Sequence, residues 1–175
     1  MPHLLYGVWD DIVYDNRGLH GYSAPELPLE SFDQFDDGNP VDIFLSNRGF
    51  LVFSAQANLV QALLKHHERL AAESCGKCTP CRAGSPLIAQ QLANACRGEQ
   101  VDWAELRDIT EQMHDTSLCG VGRTGTQPLL DVMRYFPDEL RVSPMPAKAA
   151  STPSPPAPAS RPAPATSTCP ATSTT

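Results

Sequence analysis

The chain has 175 residues, a formal net charge of −7 and 41% hydrophobic residues. This length suits one domain, or one small domain with a tail, and excludes a large multi-domain enzyme. The absence of a basic stripe argues against a nucleic-acid partner, and no apolar run approaches the ~20 residues that a membrane span needs.

Residues 1–40 are predicted to form an acidic, extended arm. Residues 1–54 hold nine Asp and Glu residues against two Arg residues, a net charge of −7, so the acidity of the chain lies in its first third. Turn-forming residues interrupt the arm, and one short strand near residues 4–8 is the regular element expected there. The charge is interpreted as a solvated surface, with docking to a basic partner as the functional alternative.

A β-hairpin and four helices are predicted over residues 41–142. Two β-branched and aromatic runs, residues 41–45 and 50–53, flank an Asn/Gly-containing turn, which is typical of a hairpin. Apolar periodicity predicts helices over about residues 54–74, 85–98, 102–116 and 129–136. The second helix is expected to begin at a Ser85 cap followed by Pro86. Because the connections are short, the predicted fold is a mainly α four-helix bundle.

Residues 143–175 are predicted to be a disordered tail. Nine of the 17 prolines lie between Pro144 and Pro170, in a stretch built almost wholly of Pro, Ala, Ser and Thr. Without large apolar side chains, such a segment does not offset the entropy cost of ordering. The tail is interpreted as a linker, with docking of Pro155-Pro156 to a proline-recognising partner as the alternative.

Four of the six cysteines form a pattern typical of metal binding. Three fall within seven residues, and 37 residues separate the last of them from a fourth: these are Cys75, Cys78, Cys81 and Cys119. A [4Fe–4S] cluster takes four thiolates, and three of them can come from one compact loop. Structural zinc sites usually pair their ligands two and two, so zinc is the weaker alternative. Since residues 1–11 show no signal peptide, we expect reduced thiols and a cytoplasmic protein rather than a disulfide framework.

Other residues near this pattern have simpler interpretations. Cys96 shares a helical stripe with apolar residues and is expected to be a buried, inert thiol, whereas Cys169 in the tail is expected to be exposed. The three histidines His66, His67 and His114 are expected to be packed or solvated rather than in contact with a metal site. The glycine-rich residues 120–125 follow a predicted ligand and a helix, and are not expected to bind phosphate.

Two segments carry a resemblance to a known family. Residues 73–82, ESCGKCTPCR, and residues 117–120, SLCG, resemble the iron–sulfur module of the NADH-binding flavoprotein subunit of respiratory complex I. The same module recurs in diaphorase subunits of NAD-reducing hydrogenases and formate dehydrogenases, and the likeness covers about residues 45–142. It implies a four-helix domain with one [4Fe–4S] cluster bound by Cys75, Cys78, Cys81 and Cys119.

The resemblance implies an electron-transfer subunit rather than a self-sufficient catalyst. Members of the family carry a glycine-rich domain for FMN and NADH before this module, whereas here no G-x-G-x-x-G follows a predicted strand. We therefore expect neither FMN nor NAD on this chain. The expected partners are an NADH-oxidising flavoprotein subunit and other iron–sulfur or catalytic subunits. The alternative is an assembly or redox-sensing module in which a cluster, or zinc, is structural.

Overall fold

The computed structural model describes residues 3–18, 21–27 and 41–141. Four strands come first: β1 (Tyr6–Trp9), β2 (Ile12–Asp15), β3 (Ile43–Ser46) and β4 (Gly49–Val52). The helices follow: α1 (Leu59–Glu73), α2 (Thr79–Cys96), α3 (Trp103–Thr116), α4 (Gly120–Arg123), α5 (Gln127–Tyr135) and a 3-10 helix (Pro137–Arg141). The predicted tail, with Cys169, lies outside these residues. Within the described ranges, no helix has the length and apolar character to cross a membrane.

The strands form one antiparallel sheet in the order β2-β1-β4-β3. The predicted hairpin is confirmed as β3 and β4. The strand expected near residues 4–8 is present as β1, but the prediction of an extended arm is wrong for residues 6–15, because β1 pairs with β4 in a register that places Val8 opposite Phe50. Strands β1 and β2 form a second hairpin, whose turn has Asp10 and Asp11 at φ of 50° and 62°. Positive φ at both central residues matches the twist of a two-residue hairpin turn.

Both faces of this small sheet are covered. One face carries Tyr6, Val8, Phe50 and Val52, which join the main core with side chains from the helices. The opposite face buries Trp9 and Leu51 in a second cluster with Leu4, Tyr14, Ala24, Leu27, Val41, Phe44 and Phe53. The fold is therefore a mixture of helices and sheet, rather than a helical bundle preceded by an arm.

Three of the predicted helices are confirmed with small changes at their ends. Helix α3 matches its prediction, and the Asp102 side chain accepts hydrogen bonds from the backbone N–H groups of its first turn. Helix α5 also lies where the periodicity placed it. Helix α1 begins about four residues later than predicted, because the side chain of Asn58 caps it by accepting from the Gln61 N–H.

The predicted start of the second helix is wrong. Helix α2 begins at Thr79, with Cys78 in the N-cap position and Pro80 in the first turn, so Pro86 lies inside the helix. The Ser85 hydroxyl, predicted to cap the helix, instead donates to the Cys81 carbonyl at 2.7 Å. Pro80 is the proline at the helix start, where the missing N–H would have no partner in the helix. Pro86 lies further along the helix, where it removes one backbone hydrogen bond.

Arg17 joins the first hairpin to the end of the described chain. Its guanidinium pairs with Asp15 at 2.9 Å and with Glu139 of the 3-10 helix. It also lies 4.4 Å from the ring centre of Tyr6 and 5.2 Å from that of Phe136. Such stacked and paired contacts between segments more than 100 residues apart integrate the N-terminal strands with the helices.

The pairing of β1 with β4 can be tested at Gly7. A Cβ at this position would lie 2.9 Å from the Leu51 Cα and closer still to the Phe50 carbonyl oxygen, both on β4. We expect Gly7→Ala to lower the free energy of unfolding by about 1–3 kcal/mol, because the two backbones would have to separate. Gly21→Ala is the matched control, since nothing lies within 4 Å of a Cβ there. Urea unfolding measures both, and equal stability of the two variants would contradict the pairing.

The pH dependence of stability can be tested at Asp131 of α5. Burial raises the pKa of this carboxyl from its ordinary value to about 6, against a lowering by the hydrogen bond from Gln127. The folded chain therefore binds more protons than the unfolded chain between about pH 4 and pH 6, so the contribution of this carboxyl to stability is lost as the pH rises through about 6. Asp131→Asn should gain stability over the parent chain as the pH rises from about 5 to about 7.5.

The control for this experiment is Asp108→Asn, which changes an exposed carboxyl on α3. Urea unfolding at several pH values gives the difference between each variant and the parent chain. A difference for Asp131→Asn that does not grow with pH would contradict the assignment.

Candidate metal centre

The four predicted ligands lie on two segments that the helices bring together. Cys75 is in the loop between α1 and α2, Cys78 caps α2, and Cys81 lies in the first turn of that helix. Cys119 comes from the second segment, where it caps the short helix α4 after α3 has ended at Thr116. The sequence did not predict α4, whose four residues are too few for a periodic pattern.

Three of the four thiols influence one another. The pKa of the Cys81 thiol is raised, first by burial and then also by the charges of Cys78 and Cys119. Cys81 is buried, Cys78 is half-buried, and Cys75 and Cys119 are exposed. The four cysteines therefore extend from the interior of the protein, at Cys81, to its surface, at Cys75 and Cys119.

Backbone N–H groups point to the sulfur of Cys78. The pKa of this thiol is lowered, first by a hydrogen bond from the Leu118 N–H and also by the N–H of Cys81. Leu118 belongs to the segment that carries Cys119, so this contact joins the two cysteine segments directly. Donors at a helix start favour the anionic sulfur, and the thiolate is the form that binds metals.

Two serine hydroxyls lie beside the thiols. The Ser74 hydroxyl is 3.3 Å from the Cys81 sulfur. The Ser117 hydroxyl is buried, and in the described part of the chain it makes no hydrogen bond of regular geometry. It nevertheless contributes to lowering the pKa of the Cys78 thiol, which places it next to that sulfur. The sequence analysis assigned no role to either serine, although Ser74 directly precedes Cys75 and Ser117 lies two positions before Cys119.

Glycines make the close approach of the two segments possible. A Cβ on Gly122 would lie closer than 3.0 Å to Ser117 and 3.3 Å from the Cys81 Cβ. Gly76 has φ of 72°, a conformation that glycine adopts without strain, and it turns the loop between Cys75 and Cys78. The Arg82 guanidinium donates to the Gly76 carbonyl at 3.3 Å, so a positive charge lies over this loop.

The donor set suits a cluster with several irons. Thiolates are soft ligands typical of iron–sulfur clusters and of zinc. Within residues 3–18, 21–27 and 41–141, no three His, Cys, Asp or Glu side chains are grouped so that they could hold one metal ion. The choice between a cluster and zinc therefore rests on the spacing of the cysteines in the sequence. Four thiols, with hydroxyl and N–H donors beside Cys78 and Cys81, are compatible with an iron–sulfur cluster.

The remaining candidates from the sequence lie elsewhere. Cys96 is at the far end of α2, about 22 Å from Cys81 at 1.5 Å per residue, and it packs against the main core. His67 is buried, its Nδ1 lies 2.9 Å from the Leu63 carbonyl oxygen, and burial lowers its pKa to about 4. His66 bonds to the Gly125 carbonyl and His114 to Asp115. These histidines are packed or paired with protein groups, as their simpler interpretation predicted.

The glycine-rich residues 120–125 have a packing role. Gly122 faces Ser117 and Cys81, and a Cβ on Gly125 would lie 2.7 Å from a Leu70 methyl carbon on α1. Residues 120–123 of this segment form the short helix α4, which has only four residues. These contacts account for the glycines at positions 122 and 125.

Comparisons with known proteins find similar sequences. Residues 56–143 match the family described as the NADH-ubiquinone oxidoreductase-F iron-sulfur binding region. The chain is 29% identical to the NADP(+)-dependent formate dehydrogenase subunit beta of Moorella thermoacetica, over 81% of this chain and 20% of that protein. It is 30% identical to an NADH-quinone oxidoreductase subunit of Streptomyces coelicolor, over 68% of this chain and 28% of that protein. The chain thus spans less than a third of the length of these relatives.

A solved structure shares the fold. A chain in the crystal structure of the NAD+-reducing [NiFe]-hydrogenase in the H2-reduced state aligns with a TM-score of 0.54, over 67% of this chain and 26% of that one. The two sequences are 23% identical over the alignment. At this identity the likeness supports the fold and leaves the function to other evidence.

The packing of the two cysteine segments can be tested at Gly122. We expect Gly122→Ala to lower the free energy of unfolding by about 1–3 kcal/mol, because the added methyl group collides with Ser117. Gly120→Ala is the control two residues away, where a Cβ would make an ordinary contact of 3.5 Å with Thr124. Chemical unfolding compares them, and a Gly122→Ala chain as stable as the control would contradict the packing described.

Proposed function

Because this chain belongs to the family of the NADH-ubiquinone oxidoreductase-F iron-sulfur binding region, we propose that it binds one [4Fe–4S] cluster and transfers electrons within a multi-subunit NAD(P)-linked oxidoreductase. The proposed ligands are Cys75, Cys78, Cys81 and Cys119. The observation that carries the proposal is the close packing of Gly122 against Ser117 and the Cys81 Cβ, which supports a position of Cys119 near the ligand loop. A bound cluster supplies one-electron chemistry.

The residues of the chain determine how readily an electron is accepted at this site. N–H donors directed at the Cys78 sulfur stabilise added negative charge, and so do the Ser74 hydroxyl near Cys81 and the Arg82 guanidinium over the loop. Hydrogen bonds to sulfur and nearby positive charge raise the reduction potential of an iron–sulfur centre. The burial of Cys81 acts in the opposite direction, because a low-dielectric environment disfavours added charge.

The position of the site suits exchange of electrons with another protein. Cys75 and Cys119 are exposed, and Leu118, which directly precedes Cys119, is 76% exposed. A cluster with two of its proposed ligands at the surface would lie within reach of a redox centre on a partner. The proposed partners are an NADH-oxidising flavoprotein subunit and other iron–sulfur or catalytic subunits. Relatives are named as subunits of formate dehydrogenase, NADH-quinone oxidoreductase and NADP-reducing hydrogenase, which supports this choice.

We place neither FMN nor NAD on this chain. The glycine-rich residues 120–125 are accounted for by packing against Ser117, Cys81 and Leu70. Two-electron chemistry would then take place outside this iron–sulfur module.

The proposal is tested by isolating the full chain without oxygen and measuring its iron and sulfide. About four of each per chain, visible absorption and an EPR signal after reduction are expected for one [4Fe–4S] cluster. Electron transfer is then tested by reducing the protein with NADH and the flavoprotein that co-purifies with it. Zinc without visible absorption would replace the proposal by a structural zinc site, and bound FMN would contradict the assignment of cofactors.

The ligand assignment is tested by Cys119→Ser. This change removes the one proposed ligand that lies outside residues 75–81, so we expect loss of most of the iron and a lower midpoint of thermal unfolding. Cys96→Ser is the matched control, because this thiol lies at the other end of α2. Iron, sulfide and EPR are measured on both variants. A full cluster in Cys119→Ser would refute the assignment of that ligand.

A further inference from the structure

Ser117 holds a buried hydroxyl that the rest of the described chain does not use. Its backbone N–H ends α3 by donating to the Met113 carbonyl at 3.2 Å. The side chain oxygen is buried and has no hydrogen-bond partner of regular geometry among the described residues. A buried hydroxyl without a partner is unfavourable, and native structures leave few of them.

The surroundings of this hydroxyl fix its place. Gly122 leaves no room for a Cβ because Ser117 occupies that space, and the Cys81 Cβ borders the same position. The neighbouring Leu118 N–H already points to the Cys78 sulfur. The geometry therefore places Ser117 beside Cys81, on the segment that carries Cys119, and the Ser117 side chain also contributes to lowering the pKa of the Cys78 thiol.

We infer that the Ser117 hydroxyl donates a hydrogen bond to the Cys78 sulfur when that sulfur binds the cluster, and that this bond raises the reduction potential of the cluster. The inference rests on the proposed function. A neutral thiol is a weak acceptor, whereas a metal-bound thiolate carries negative charge and accepts a stronger hydrogen bond. Reduction adds one electron to the bound group and increases the charge on its sulfurs, so a donor at Cys78 stabilises the reduced state more than the oxidised state.

Two other serines near the proposed ligands differ from Ser117 because their hydroxyl groups have hydrogen-bond partners. The Ser74 hydroxyl is already 3.3 Å from the Cys81 sulfur. The Ser85 hydroxyl is as deeply buried but donates to the Cys81 carbonyl oxygen at 2.7 Å. Ser85→Ala therefore provides a control that removes a buried hydroxyl near the neighbouring ligand Cys81 without removing a donor to sulfur.

The test compares Ser117→Ala with Ser85→Ala in the full chain, isolated without oxygen. An EPR-monitored redox titration measures the midpoint potential, and iron and sulfide are counted in each sample. We expect Ser117→Ala to keep the cluster and to shift the midpoint to a more negative potential, while Ser85→Ala keeps the parent value. Pulsed EPR after exchange into D2O should show one deuterium coupling in the parent chain that Ser117→Ala lacks.

The outcomes separate this inference from the proposed function. A parent chain without a cluster would overturn the proposed function itself. A parent chain with a cluster, together with an unchanged midpoint in Ser117→Ala, would overturn the inference alone. The same holds for an equal shift in Ser85→Ala, which would indicate a general effect of packing. Loss of the cluster in Ser117→Ala but not in Ser85→Ala would assign the hydroxyl to assembly and would also overturn the inference.

Discussion

The contact between residues 117–119 and the start of α2 is the constraint on which the candidate site depends. The Leu118 N–H meets the Cys78 sulfur, and this brings Cys119 within electrostatic range of Cys81. Neither segment offers four thiols alone. Their approach requires the bare backbone of Gly122, because any side chain there would occupy the position of Ser117. The same close packing therefore holds the two segments together and brings the proposed ligands near one another. A site of this kind can form only in the folded chain.

The balance of charge at the site follows from the same contact. Thiolates close together repel one another, and burial of Cys81 adds a further cost. N–H groups at the start of α2 and from Leu118, together with nearby hydroxyls, offset this cost by donating to sulfur. The exposed Cys75 and Cys119 keep part of the site near the surface. Buried thiolate charge is thus offset by hydrogen-bond donors, while two of the proposed ligands remain at the surface. Both features suit a centre that accepts and passes single electrons.

The sheet supports the helices from the other side of the core. Phe50 of β4 and Tyr6 of β1 pack with Phe136, which follows α5, and Arg17 holds Tyr6 and Glu139 together. The residues predicted as an arm therefore share the main core with the helices that carry the cysteines. A disturbance of β1 is expected to reach these helices through shared buried side chains rather than through the chain itself.

Local patterns in the sequence determined the helices and the proposed ligands. The Asp102 cap and the apolar periodicity of α3 depend on residues within a few positions of one another, and so does the spacing of Cys75, Cys78 and Cys81. Tertiary structure alone decided the pairing of β1 with β4, whose partners lie 40 or more residues apart, and the approach of residues 117–122 to the start of α2. It also decided the role of Ser117, because a serine shows from sequence neither its burial nor its lack of a partner. Contacts between distant segments depend on how whole elements pack, and short-range periodicity carries no information about that packing.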